Sequence, residues 1–199
     1  SQYYFPDEND EIRRAIEQKG ITEEAATVQV LGISFEDLGV GIATESLLRV
    51  LRTRNARRVV LVSEPNAERA IGATIAAALK RAKISVTPLT LKSGESAKQL
   101  TVIDDAARTL AAAGIERGDL IVAVGGGALT DTAGLLAALY LRGIDWVAVP
   151  TTLAAQLDAS LGGKTGVDLP EGKNLVGAFH QPIAVIADRT VSSMSVVAA

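Results

Sequence analysis

The sequence has no cysteine, a single histidine and few aromatic residues, which make up 4% of its 199 residues. Without cysteine the chain can form neither a disulfide framework nor a thiolate metal site. Hydrophobic residues nevertheless account for 48% of the composition. The interior must therefore be built mostly from Ala, Val, Leu and Ile, in a domain long enough to bury a sizeable core.

Long apolar runs and a strong charge imbalance are also missing. No run approaches the length of a membrane span, and the acidic, polar start SQYYFPDENDEIRR is not a signal peptide. The net charge of −3 gives no reason to expect nucleic acid or an anionic membrane as a partner. These features predict a cytoplasmic protein of about one domain.

A glycine-rich turn stands at the centre of the chain. Residues 120–124 form an apolar run typical of a buried strand, and Gly125, Gly126 and Gly127 follow at once. An Ala- and Leu-rich helix is predicted over 128–142, ended by Gly143. A strand, a glycine turn and a helix start can bring bare backbone N–H groups against a phosphate, but a tight turn in an ordinary βαβ unit fits equally well.

The segment that follows a second buried strand, 146–149, favours a functional site. Pro150 precedes Thr151 and Thr152, and residues 156–174 read QLDASLGGKTGVDLPEGKN. We expect a loop here, because this density of charged, amide and glycine residues packs poorly and is typical of sites.

The first half of the chain predicts further strands and helices. Residues 1–27 indicate a solvated tail or the end of an upstream domain, and 28–40 a short hairpin. A helix is expected over 45–54, a strand over 59–62, a helix from 65 to about 83, a strand over 85–91 and a helix over 97–113. Glu64 follows a strand and can accept hydrogen bonds from a ribose diol or cap the next helix.

This alternation predicts an α/β, Rossmann-like fold with a mostly parallel sheet and helices on both faces. Ligands bind such sheets beyond the carboxyl ends of the strands. Glu64, Glu95, the three glycines and the two threonines all follow predicted strands, so they are expected to share one pocket.

The motifs from residue 120 to 182 resemble those of one family. They read GGG-x-x-x-D-x-x-G, Y-x-R-G, PTTL, QxDxSxGGKTGV and GKNLxGAFxQP, and they are similar to 3-dehydroquinate synthase over about 60 residues. SGESAK at 93–98 also resembles the family's P-G-E-x-x-K segment, although on local grounds it reads as a helix cap. The resemblance implies an NAD-binding domain over 28–190 and the start of a helical, metal-binding domain over 191–199. That second domain is expected to be absent from this chain.

The resemblance also implies roles for individual residues. NAD contacts fall on Glu64, Asn66, Glu95, Lys98, Gly126, Gly127, Asp131, Thr151, Thr152, Lys164 and Lys173, and weakly on 191–194. A catalytic or substrate-binding role falls on Asp158, Lys164, Asn174 and Arg142, the last reaching a neighbouring subunit's phosphate site in a homodimer. Arg142 can equally serve as a favourable charge at a helix C-terminus, and the two lysines as solvated side chains.

The resemblance implies the conversion of a sugar phosphate to 3-dehydroquinate in the shikimate pathway, with NAD and a divalent metal, zinc or cobalt, in the full-length enzyme. The chain itself is expected to hold no metal site and to be inactive alone, since a catalytic zinc site takes about three protein ligands. For His180 a packing or surface role is favoured over metal binding or base catalysis. The sequence leaves open another cyclase, such as one acting on sedoheptulose 7-phosphate, a metal-dependent alcohol or glycerol dehydrogenase, and a non-enzymatic NAD-binding module.

Overall fold

The computed structural model describes residues 43–152, 154–156, 160 and 162–187. Within these residues helices and strands alternate up to the fourth strand, and a hairpin and one short strand follow. In order they are α1 (Ala43–Thr53), β1 (Arg58–Ser63), α2, β2 (Ser85–Thr90), α3 (Leu100–Ala112), β3 (Leu120–Gly125), α4 (Gly127–Leu139), β4 (Asp145–Pro150), β5 (Lys164–Leu169), β6 (Gly172–Phe179) and β7 (Ala184–Val185). The helical segment α2 comprises Pro65–Ala67, a π-helical turn Glu68–Gly72, and Ala73–Arg81.

Five strands form a parallel sheet in the order β2-β1-β3-β4-β7. Their carboxyl ends are level, because Ser63 pairs with both Thr90 and Val124, and Gly125 pairs with Pro150. The segments that leave β1, β2, β3 and β4 therefore emerge side by side at one edge. The predicted α/β, Rossmann-like architecture is confirmed.

Each face of the sheet is covered by helices, as predicted. Alternate residues of β1 point to opposite sides. Val59 and Leu61 belong to one apolar cluster with α1 and α2, whereas Val60 and Val62 belong to another with α3 and α4. A sheet buried on both faces accounts for the near-continuous apolar runs in the sequence.

The segment predicted as a loop over 156–174 is partly a β-hairpin. Strands β5 and β6 pair antiparallel, and the hairpin packs against α4. Gly134 in α4 permits this approach, because a Cβ there would collide with Thr165 and lie 2.9 Å from Cζ2 of Trp146. Gly177 in β6 similarly lies against the Thr165 carbonyl, where a Cβ would not fit. Within the segment itself, a Cβ on Gly166 would lie 3.1 Å from the Val176 carbonyl oxygen, so this glycine belongs to the closely paired strands and not to a loop.

Two helices differ from their predicted bounds. The helix expected from residue 97 begins only at Leu100, because Gly94–Ala97 forms a 3-10 turn and Gln99 is extended with φ −134°. Helix α4 ends at Leu139, where a 3-10 turn over Tyr140–Arg142 begins. Arg142 has φ 66° in that turn, so it does not lie in the last turn of an α-helix.

Several predictions lie outside the described residues. They are the tail over 1–27, the hairpin over 28–40, Asp158, and the segment over 191–199. In the part of the chain that the structure describes, no helix is both long and apolar enough to cross a membrane.

Candidate functional site at the carboxyl edge of the sheet

The glycine turn joins β3 to α4 at the middle of the edge. Gly126 is extended, with φ −77° and ψ −177°, and Gly127 begins the helix. The Thr151 N–H donates to the Gly125 carbonyl over 2.9 Å, which fixes the end of β4 to the turn. A Cβ added to Gly126 would lie 3.3 Å from Cγ2 of Thr152 and 3.6 Å from Oε1 of Glu64. The turn therefore faces these two side chains.

Glu64 contacts the turn directly. It occupies the N-cap position of α2, but its side chain makes no capping hydrogen bond. Its Oε1 accepts instead from the Gly126 N–H at 3.0 Å. The helix-capping alternative for this side chain is therefore wrong, and the carboxylate faces the candidate site.

The neighbours of Glu64 form a small polar group. The buried Ser63 hydroxyl donates to Glu68 over 2.6 Å, and the exposed Asn66 accepts from Arg69 over 2.5 Å. Glu68 and Arg69 lie in the π-helical turn of α2. Such turns are frequent at functional sites, and nothing in the sequence indicated this one.

A second set of residues surrounds the buried ammonium of Lys98, which is only 5% exposed. Its Nζ donates to Oδ2 of Asp131 over 2.7 Å and to Oδ1 of Asn174 over 2.5 Å. Lys98 follows the 3-10 turn after β2, Asp131 lies in the first turns of α4, and Asn174 lies on β6. A buried charge is favourable only when it is paired and hydrogen-bonded, and both conditions are met.

Asp168 completes this set, and sequence reasoning missed it. Its Oδ1 accepts from the Asn174 N–H at 2.7 Å, and its own N–H donates to the Lys98 carbonyl at 2.9 Å. Nearby, Nζ of Lys173 lies 3.7 Å from Oε2 of Glu95. The only available signal was an acid close to the motif GKN. The Lys98 cluster is hereafter Glu95, Lys98, Asp131, Asp168, Lys173 and Asn174.

The hydrogen bond from the Asn174 N–H lowers the pKa of the Asp168 carboxyl below its usual value. Partial burial opposes this effect, whereas a hydrogen bond with Glu95 and the charges of Lys98 and Lys173 add to it. Asp168 is therefore an anion at neutral pH, as its role as an acceptor requires.

The structure does not bring every predicted residue to this cluster. Lys164 is exposed at the start of β5, and Arg142 is exposed beyond α4, at the end opposite the glycine turn. Thirteen residues of α-helix separate the two ends of α4, a length of roughly 20 Å. Arg142 therefore cannot act at its own chain's glycine turn.

His180 has a packing role, as favoured from the sequence. Its Nε2 lies 2.9 Å from the Ile144 carbonyl, and its own carbonyl accepts from Nε1 of Trp146 at 3.1 Å. Among the described residues, no three His, Cys, Asp or Glu side chains are grouped so that they could hold a metal ion.

Two surface concavities lie away from these residues. They measure about 430 and 470 Å³, and both are lined by Arg52 and Ala82, near the amino-terminal edge of the sheet. The first also extends along α1 to Thr44. The convergence of strand ends, and not concavity, defines the candidate site.

The arrangement presents a glycine turn, a buried cation and several fixed carboxylates along one edge. Such a set can receive the phosphates and hydroxyls of a nucleotide or a sugar phosphate. The fold and this edge define the chain as an α/β domain of the Rossmann-like class. The chain belongs to the family described as 3-dehydroquinate synthase N-terminal, whose model matches residues 88–196. The resemblance found in the motifs is confirmed.

Known proteins agree with this assignment. A 3-dehydroquinate synthase from Caulobacter vibrioides (strain NA1000 / CB15N) is 46% identical over 155 residues, covering 77% of this chain and 42% of the relative. A crystal structure of 2-deoxy-scyllo-inosose synthase, complexed with carbaglucose-6-phosphate, NAD+ and Co2+, superposes with a TM-score of 0.72 at 32% identity. The superposed region covers 79% of this chain and 43% of the 2-deoxy-scyllo-inosose synthase chain.

A 2-epi-5-epi-valiolone synthase from Streptomyces hygroscopicus subsp. jinggangensis 5008, with NAD+ and Zn2+ bound, superposes with a TM-score of 0.68 at 28% identity. The superposed region covers 77% of this chain and 42% of the valiolone synthase chain. The chain thus spans about two fifths of the length of these proteins.

Proposed function

We propose that this chain is the NAD-binding part of a 3-dehydroquinate synthase. The whole protein would convert 3-deoxy-D-arabino-heptulosonate 7-phosphate to 3-dehydroquinate and phosphate, acting as a homodimer in the cytoplasm. Family membership supports the reaction. The names of two neighbours, which carry NAD+ together with Co2+ or Zn2+, support the cofactor and a metal in the full-length enzyme.

One observation carries the NAD assignment: the glycine turn faces Glu64 and Thr152 across an edge where four strands end level. The bare backbone of Gly126 and Gly127 would let a pyrophosphate approach the α4 N-terminus, where the helix dipole favours an anion. Glu64 can accept hydrogen bonds from a ribose diol. It would then share or give up its bond to the Gly126 N–H.

The Lys98 cluster fits the other end of a dinucleotide. Glu95 and Lys173 are exposed and can reach a ligand, whereas Lys98 is fixed beneath them by Asp131 and Asn174. Fixed charges of both signs can orient a ribose and hold a neighbouring substrate hydroxyl without reorganising. We assign Asn174 and Asp158 to substrate hydroxyls and Lys164 to a substrate anion.

Arg142 takes a different place in this proposal. Its position beyond the far end of α4 removes it from its own chain's edge. A contact with the phosphate site of a second copy is consistent with that position and with its exposure.

When bound, NAD would accept a hydride from a ring alcohol and return it later in the same turnover. The described residues do not fit a metal site, so their part is to bind, orient and neutralise charge. Lys98 and Lys173 would offset the negative charge of phosphate and substrate oxygens, and Asp131 would keep the Lys98 ammonium in place.

A calorimetric titration of the chain with NAD tests the proposal. Saturable binding is expected, weaker than in an intact synthase, and Lys98→Met should weaken it by at least about 10-fold, the loss of one charged hydrogen bond. Lys92→Met is the matched control, because Lys92 is exposed on the loop that follows β2. A folded chain that binds no NAD would refute the assignment.

A further inference from the structure

We infer that Asp168 is a positioning residue, which holds Lys98 and Asn174 in place by tying the β5–β6 hairpin to the turn after β2. The inference deepens the proposed function and rests on it only for the identity of the ligand. Asp168 is not among the residues that the motifs mark as ligand contacts.

Asp168 joins the two segments through both its side chain and its backbone. Its carboxylate accepts from the Asn174 N–H, its N–H donates to the Lys98 carbonyl, and it forms a parallel bridge with Gln99. The pairing of β5 with β6 is irregular between Val167 and Leu169. This irregularity leaves the backbone N–H of Asp168 free to bond to the Lys98 carbonyl instead of to the backbone of β6.

The carboxylate also stabilises an unusual backbone conformation. Asn174 has φ 56°, in the left-handed region that non-glycine residues adopt at a cost. The bond from its N–H to Asp168 favours that conformation, in which Oδ1 of Asn174 accepts from Nζ of Lys98. Loss of the Asp168 acceptor would therefore release Asn174 and, with it, one of the two described partners of the Lys98 ammonium.

The experiment compares Asp168→Ala, which removes the acceptor, with Asp168→Asn, which keeps an acceptor oxygen but loses the charge. Glu171→Gln is the matched control, because it removes an exposed acid from the turn of the same hairpin. Amine labelling followed by mass spectrometry measures the accessibility of Lys98, with the exposed Lys92 and Lys164 as internal references.

Asp168→Ala should raise the labelling of Lys98 by about 5-fold, the size expected for one hydrogen bond, with no change at Lys92 or Lys164. Asp168→Asn and Glu171→Gln should stay within about 2-fold of the wild type. Equal labelling of Lys98 in a folded Asp168→Ala protein would overturn the inference. If Asp168→Ala does not fold, the labelling of Lys98 is measured in Asp168→Ser, whose acceptor is shorter. Equal labelling of Lys98 in that variant and the wild type would then overturn the inference.

NAD affinity provides the second readout. Asp168→Ala should weaken binding several-fold, and Asp168→Asn should restore most of the loss. If Asp168 acts through Lys98, the same substitution in a Lys98→Met background should change affinity by less than about 2-fold. An equal loss in both backgrounds would contradict action through Lys98. A wild-type chain that binds no NAD would refute the proposed function, while the labelling result would still decide the role of Asp168.

Discussion

Replacing Gly126 with alanine separates a ligand-binding turn from a merely tight one. In the folded chain the new methyl group would lie 3.3 Å from Cγ2 of Thr152 and 3.6 Å from Oε1 of Glu64. The first contact is slightly tight and the second is ordinary, and φ of −77° suits an L-residue. A Gly→Ala change at such a position also reduces the entropy of the unfolded chain. We therefore expect the free energy of unfolding to change by no more than about 1 kcal/mol.

The affinity for NAD should respond far more strongly. A methyl group on the turn would keep a pyrophosphate from the backbone and remove at least one hydrogen bond to a charged group, which is worth about 1.5–3 kcal/mol. Binding should therefore weaken by at least about 10-fold. Calorimetric titration measures the affinity, and urea unfolding followed by the fluorescence of Trp146, the single tryptophan, measures stability.

Two glycines serve as controls. Gly118→Ala should leave NAD affinity unchanged and should not destabilise the fold, because a Cβ there meets nothing within 4 Å. Gly134→Ala should destabilise the fold by about 1–3 kcal/mol, because its Cβ would collide with Thr165 and overpack the core. A Gly126→Ala protein that folds and binds NAD like the wild type would refute the assignment of the turn.

Three further outcomes follow from the ionic contacts. Lys98→Met should lower the free energy of unfolding by about 1–3 kcal/mol in urea titrations, because Asp131 loses a partner, whereas Lys92→Met should not. Arg58→Met should also destabilise the fold, since Arg58 binds Asp119 and the Gly114 carbonyl, but should leave NAD affinity unchanged because Arg58 lies at the opposite edge of the sheet. The low pKa of Asp168 contributes stability that is present above the unfolded-state value of about 3.9 and lost as pH falls through the folded-state pKa. The stability difference between wild type and Asp168→Asn should therefore shrink on acidification below about pH 4, and a difference that grows would contradict this reading.

The sheet could be predicted because its signals are local. Strands β1, β3 and β4 are uninterrupted apolar runs followed by glycine, proline or acidic residues, and parallel strands carry such runs when both faces are buried. The placement of Glu64, the glycines and the threonines at one edge followed from that topology alone.

The details of the site were beyond the sequence because they depend on distant partners. Nothing near Lys98 indicates that Asp131 and Asn174 bury its ammonium, and nothing near Glu64 indicates a bond to Gly126. The β5–β6 hairpin was missed for a related reason. Its Gly166 and Gly177 lie against the backbone of the opposite strand, and Gly134 of α4 makes room for Thr165. These contacts are not visible in a window of local sequence.

The ammonium of Lys98 has a consequence for the order in which the chain folds. Its two partners among the described residues lie 33 and 76 residues along the chain, so the contacts close long loops. Such contacts cost chain entropy before they stabilise anything, and they are typical of steps that follow the formation of local structure. The complete site at this edge exists only in chains in which α4 and the hairpin have already docked, so a ligand would bind only those chains. Its binding would therefore favour the completed native state over partly folded ones by mass action.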